Sequence, residues 1–193
     1  MTDIPRPISP ETNHPDNISF TPITADAIPS FVRDALLEIA GFNRETETDS
    51  QLASFNNLSS LQHPNGDTSY VATYVKESDE SITEEDTLVV DINTKGDVTG
   101  AGEVRFFREF RGMPDMVGFP FVASTMTNKD FQRGGLGERR LHTMNTASLN
   151  TYGLTLRSGT NLEPEARSIW DRLAAEGRAT RLSNDTNFQY KFI

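Results

Sequence analysis

The chain contains no cysteine, which excludes a disulfide framework and any thiolate zinc site. His14, His63 and His142 stand too far apart for the H-E-x-x-H spacing of a helical zinc site, so no metal is expected. Basic residues are also scarce. Eighteen Lys and Arg against 28 Asp and Glu leave a net charge of −10, which opposes attraction to phosphate backbones and anionic membranes. Neither a nucleic-acid partner nor a membrane partner is expected. No stretch approaches the roughly 18 apolar residues of a membrane span, and the N-terminal region lacks both a basic n-region and an apolar h-region. A soluble, cytoplasmic protein is the expectation.

What remains is 193 residues with 35% hydrophobic content, enough for one globular domain with a sizeable core. Residues 1–17 hold Pro5, Pro7, Pro10 and Pro15 with little that is apolar, and read as a flexible arm preceding a domain over 18–193. Ile18 to Thr24 reads as a short strand. Phe31, Val32, Ala35, Leu36, Ile39 and Ala40 recur at helical spacing within a predicted helix over 25–40. Leu52, Phe55, Leu58 and Leu61, three apart, predict a second helix over 50–61, closed by His63-Pro64-Asn65-Gly66.

The alternation of Tyr70, Ala72 and Tyr74 with Val71, Thr73 and Val75 predicts a strand covered on both faces over 69–76. Glu77 to Asp86 carries six acidic residues and no basic one, and reads as a solvated loop or a docking site for a basic partner. Strands over 87–92 and 98–108 are predicted to form a hairpin through Asn93-Thr94-Lys95-Gly96-Asp97. Gly100-Ala101-Gly102 begins a dinucleotide-type pattern, but Arg105 fills the third glycine position and no helix follows, so that fingerprint is rejected. An apolar strand is expected over 116–126, a helix over 136–149 and a short strand over 153–157. The clearest helix lies over 164–176, where Ala166, Ile169, Trp170, Leu173 and Ala174 form one stripe between Pro164 and Gly177. Residues 178–182 and 188–192 read as terminal strands.

Between the strand over 116–126 and the helix over 136–149 lies Gln132-Arg133-Gly134-Gly135-Leu136-Gly137. Glycines there leave room for an anion, and successive backbone N–H groups hand it to a helix N-terminus. Lys129, Arg133, Arg139 and Arg140 outnumber Asp130 and Glu138 around it. Positive charge gathers where a diphosphate would sit.

The run Asp130-Phe131-Gln132-Arg133-Gly134-Gly135-Leu136-Gly137, set in this order of elements, resembles the first signature of the GNAT superfamily of acetyl-coenzyme A dependent N-acetyltransferases. Asn161-Leu162-Glu163-Pro164-Glu165-Ala166-Arg167-Ser168-Ile169-Trp170 is similar to the family's second signature. It differs in carrying Glu163 and Trp170 where the family has Asn and Tyr, so the usual tyrosine acid is missing. The resemblance covers about residues 18–193. It implies an α/β (α+β) fold, with a mixed, mostly antiparallel sheet of about six or seven strands flanked by about four helices and splayed between its fourth and fifth strands.

The resemblance further implies that Ser124, Thr125, Met126 and Thr127 lie on the splayed strand, whose backbone pairs with pantetheine and polarises the thioester. Gln132, Arg133, Gly134, Gly135, Leu136, Gly137 and Glu138 would hold the diphosphate, with Asn161 nearby. The implied activity is direct transfer of acetyl from acetyl-coenzyme A, as co-substrate, to a primary amine in a ternary complex. The acceptor would be a small-molecule amine, or a protein lysine or N-terminus, and the protein a monomer or homodimer. Glu103 ranks first as general base, ahead of Glu109 and Asp115; Tyr152, Ser168 and His142 are the candidate acids. Trp170 reads as core packing or as a wall beside the pantetheine. The alternative is a catalytically inactive relative that serves as a coenzyme-binding or acidic protein-interaction module, such as a phage accessory factor.

Overall fold

The computed structural model describes residues 19–40, 55–79 (backbone only at 76–79), 82–132, 135–182 and 188–193. The proline arm over 1–17 lies outside these residues, as do Arg133 and Gly134 of the glycine run. Six strands form one antiparallel sheet in chain order: β1 (Thr21–Pro22), β2 (Phe55–Gln62), β3 (Thr68–Asp79), β4 (Ile82–Ile92), β5 (Val98–Phe110) and β6 (Phe121–Thr127). Three α-helices are described, α1 (Ser30–Ile39), α2 (Leu136–Tyr152) and α3 (Pro164–Ala175), and β7 (Ala179–Arg181) pairs with β8 (Tyr190–Phe192) as a second sheet.

The central strands are covered on both faces. Ala72, Tyr74, Leu88, Val90 and Ala101 pack with Val32, Leu36 and Leu37 of α1. Val71, Val89, Val104 and Val122 pack on the opposite face with Leu141 and Met144 of α2 and with Trp170 and Leu173 of α3. This double cover explains why Leu88-Val89-Val90 is an uninterrupted apolar run, because a strand with one wet face would alternate. Trp170 is core, stacked on Tyr190 with ring centres 5.9 Å apart. The 93–97 hairpin forms as expected, its turn held by Asn93 Oδ1 accepting from the Lys95 and Asp97 N–H groups.

Five expectations are corrected. Residues 55–62 form β2, not a helix: Asn56 faces Thr73 and Ser59 faces Val71, so two residues oppose Ala72 in a bulge where Asn57 takes φ 57°. The bulge reverses the pleat, so Phe55 and Leu58 point to the same core although they are three apart, and that spacing imitates a helix. The acidic stretch over 77–86 is no solvated loop. β3 and β4 run through it, and Glu84, Glu85 and Asp86 are buried in β4.

The helix over 25–40 is shortened. A 3-10 turn at Ala25–Ala27 precedes an extended Ile28, and α1 starts only after Pro29, since the residue before a proline is driven out of the helical region. The strand over 153–157 shrinks to single bridges at Arg157, parallel to Phe121 and antiparallel to Lys191. Through them the small β7–β8 sheet continues the large one. The strand over 116–126 likewise begins only at Phe121, because Pro114–Met116 forms a 3-10 turn and Gly118 turns the chain at φ 81°.

Gly100 on β5 lets α2 approach the sheet. A Cβ there would lie 2.1 Å from Arg140 Nη2 and 2.3 Å from the Met126 carbonyl oxygen, and neither atom has room to retreat. Gly100→Ala is expected to lower the free energy of unfolding by about 1–3 kcal/mol, read as a lower urea midpoint at unchanged slope. An unchanged midpoint would show that this approach is slack.

Candidate functional site

The run from β6 into α2 carries the glycine motif, and its geometry starts with a bulge. Glu103 faces Ser124 and Val104 faces Val122, so Ala123 has no counterpart on β5. On the outer side, Val122 N donates to Arg157 O at 3.0 Å and Arg157 N donates to Pro120 O at 2.9 Å. A Cβ on Gly159 would lie 2.9 Å from the Val122 carbonyl, so this neighbour is pressed against β6 as far as Val122. Beyond Ala123 the contact stops. Among the described residues, Ser124 to Thr127 pair only with β5, and residues 123–126 are exposed, Met126 to 69%.

After β6, Asn128 Oδ1 accepts from Asp130 N at 3.3 Å and starts a 3-10 turn over Lys129–Phe131. Gln132 is exposed. Gly135 is left-handed at φ 72° and precedes α2, whose N-terminus has no side-chain cap among the described residues. The N–H groups of the first turn therefore lack intrahelical acceptors and remain donors for water or an anion. Among the described residues, nothing lies within 4 Å of where a Cβ on Gly135 would stand. The Glu138 carboxylate is drawn aside by Arg172 and by Arg178 Nη1, the latter at 2.8 Å. Leu136 is half-buried, and Gly137 lies against Ile169, whose Cδ1 would be 3.2 Å from an added Cβ. The middle of α3 therefore flanks the first turn of α2, with Ser168 exposed one residue before Ile169 and Asn161 exposed in the turn before the helix.

Glu103 lies directly across from Ser124, whose Oγ donates to Glu103 Oε2 at 3.3 Å. It belongs to a buried polar group on the α1 side of the sheet. Arg105 Nη2 donates to Glu103 Oε1 at 2.6 Å, and Arg105 Nε stands 2.9 Å from Glu84 Oε1 and 3.5 Å from Asp86 Oδ1. The Nε contacts have ion-pair distances without hydrogen-bond alignment. Oxygens of Glu84, Asp86 and Glu103 lie within 4.8 Å of one another, a spacing that would suit a cation, and Arg105 supplies one from within the chain. Tyr74 Oη donates to Asp86 Oδ2 at 3.0 Å. Burial, then a hydrogen bond that protonated Asp86 donates to the Glu84 carboxylate, and the charges of Glu84 and Glu103, push the Asp86 carboxyl up to about 8.

The other candidates are elsewhere. Tyr152 ends α2, about 24 Å along the axis from the glycine turn. Its hydroxyl bonds to Thr87 Oγ1 at 2.9 Å and its ring stacks on Phe106, and burial raises its pKa. His142 contacts Arg178 and the Phe192 ring, and burial followed by the Arg178 charge lowers its pKa. Glu109 is exposed near the far end of β5, and Asp115 is exposed in the 3-10 turn after it. A cavity of about 420 Å³ beside the last turns of α2, lined by Asn57, Thr73, Glu85, Arg108, Asn150 and Thr151 among others, is likewise remote from the glycine turn.

One group near the loop departs from the sequence reading: Arg139 and Arg140, counted there among the positive charges awaiting a diphosphate, are instead paired with Asp67 and Asp91. Arg140, fully buried, donates from Nε to Asp91 Oδ2 at 2.7 Å and from Nη1 to the Met126 carbonyl at 2.7 Å and Thr127 Oγ1 at 3.1 Å. Ser69 Oγ donates to Asp91 Oδ1 at 2.6 Å and meets His63 Nε2 at 2.7 Å. Because the Ser69 proton goes to Asp91, Ser69 accepts from His63 Nε2–H, which fixes the imidazole tautomer. The available signal was a charge inside each of two apolar stripes: Asp91 after Leu88-Val89-Val90, and Arg140 four residues before Met144.

The chain matches no protein-family model, no curated protein and no solved structure.

Asp86 sets a pH dependence. Its folded pKa of about 8 exceeds the ordinary 3.8, so the folded state holds a proton that the unfolded chain releases. The stabilisation is complete below about pH 4 and is lost as pH rises toward 8. The wild-type melting temperature should therefore fall between about pH 6.5 and 8, above the range in which the lowered His63 and His142 act in the opposite sense, and Asp86→Asn should flatten that slope. Equal slopes in both proteins would show that Asp86 is ionised when folded.

Proposed function

We propose that the protein is an acetyl-coenzyme A dependent N-acetyltransferase of GNAT type, moving acetyl directly to a primary amine. One observation carries the reading: the bulge at Ala123, where β6 parts from its outer neighbour, is followed by an open strand edge, a left-handed glycine and an uncapped helix. That succession matches what thioester binding requires. An extended amide chain such as pantetheine can pair with the free edge over 124–127, and the first turn of α2 offers N–H donors to the diphosphate.

In the reaction the amine nitrogen attacks the thioester carbonyl carbon, the C–S bond breaks, and the coenzyme leaves as a thiolate. A backbone N–H of the open edge would meet the developing oxyanion; such a donor is generally worth about 2.7–4 kcal/mol. Glu103, against Ser124, would accept the amine proton. The thiolate would take its proton from Ser168 or water, since Tyr152 is engaged at the other end of α2. With Asp86 protonated, Glu84 and Glu103 face one guanidinium, and this residual negative charge favours a cationic acceptor such as a polyamine, an aminoglycoside or a lysine side chain. The acidic-docking alternative finds less support, because three of its six carboxylates are buried in β4.

Calorimetry should show acetyl-coenzyme A binding to the wild type. Gly135→Ala controls for strain at φ 72°, and Gly135→Glu should bind at least tenfold more weakly than that control. Glu103→Gln should lower the rate of amine-dependent thiol release by about 10²-fold or more without weakening coenzyme binding. Absence of binding would end the proposal. Binding without thiol release across an amine panel would leave an inactive coenzyme-binding module.

A further inference from the structure

Arg140 joins three elements with one guanidinium: its own helix α2, Asp91 of β4, and the end of β6 through Met126 and Thr127. Both charged side chains are essentially inaccessible, at 0% and 1%. A pair buried this deeply is a poor source of stability, since each ion loses several kcal/mol of hydration and an apolar pair of similar volume often serves as well. An apolar pair cannot fix the direction of a carbonyl. The planar fork of arginine can, and it sets the Met126 carbonyl at 2.7 Å while Asp91 holds the fork from behind. Gly100 gives the fork its room, and Ser69 with His63 holds Asp91 in turn.

We propose that Arg140 is a positioning residue that sets the distance between the two ends of the coenzyme site. The inference rests on the coenzyme reading above. In that reading the diphosphate sits at the first turn of α2, and Arg140 lies one turn further along the same helix. The thioester arm lies along residues 124–127, and Arg140 grips the last two of them. The pantetheine chain between these points has a fixed length, so helix and strand edge must keep a fixed spacing for both ends to bind together. The Arg140 fork maintains it.

The test uses two ligands on the full chain: acetyl-coenzyme A, which spans both ends, and adenosine diphosphate, which carries the diphosphate without the arm. The variant is the apolar pair Arg140→Met with Asp91→Leu, chosen because it should keep the fold; Arg140→Lys, which retains the charge but not the fork, is read in the same way if the pair does not fold. The expected result is at least a tenfold loss of acetyl-coenzyme A affinity with adenosine diphosphate affinity within twofold of wild type. Faster amide exchange at Ser124 to Thr127 should accompany it. General damage would weaken both ligands alike. Equal loss of both, or loss of neither, overturns the positioning role and leaves the coenzyme reading standing. Failure of the wild type to bind either ligand overturns both.

Discussion

The ion pair between Arg140 and Asp91 is the constraint around which this half of the molecule is arranged. Two charges at the centre of a doubly covered sheet are tolerable only when their hydrogen-bonding capacity is largely met, and the neighbouring residues meet all of it but that of Arg140 Nη2. Ser69 and Thr127 supply oxygens and Met126 a carbonyl, while Gly100 supplies an empty volume. Each of these residues looks unremarkable alone. Together they hold one helix against one strand end by directed bonds, whereas Leu141, Met144 and Ala147 along the middle of α2 hold it by undirected apolar contact.

The two faces of the sheet divide the work. On the α2 face the buried charge is balanced one to one and locks backbone. On the α1 face three carboxylates share one guanidinium, a set that can remain buried only because Asp86 keeps its proton and Tyr74 donates to it. Glu103 belongs to this second group and also touches Ser124 just after the β6 bulge. The bulge is therefore where an unbalanced acidic group meets an unpaired strand edge.

Much of the architecture was legible because its causes are local. The β4–β5 hairpin is written in Asn93 and Gly96, and α3 in its apolar stripe between Pro164 and Gly177. The strand at Tyr70 to Val75 shows itself by alternation. What was not legible depends on partners distant in sequence. The spacing of Phe55 and Leu58 means helix unless a bulge intervenes, and nothing around Asn57 announces one. The acids at 84–86 read as solvated until Arg105 and Arg108 arrive from another strand. Within the site, the glycine turn and Glu103 could be named from sequence, whereas the role of Arg140 depends on Asp91, 49 positions earlier.

The strict chain order of β2 to β6 also bears on how the molecule assembles. Every pairing joins consecutive segments, so each closes a small loop at low entropic cost and the meander can zip up stepwise. Docking of α2 joins far more distant segments, and only then do Asp91 and its guanidinium partner lose water. A meander without its helix would carry a hydrated carboxylate in its middle, a polar blemish on a face otherwise inviting to other unfinished chains, and the docked helix hides it.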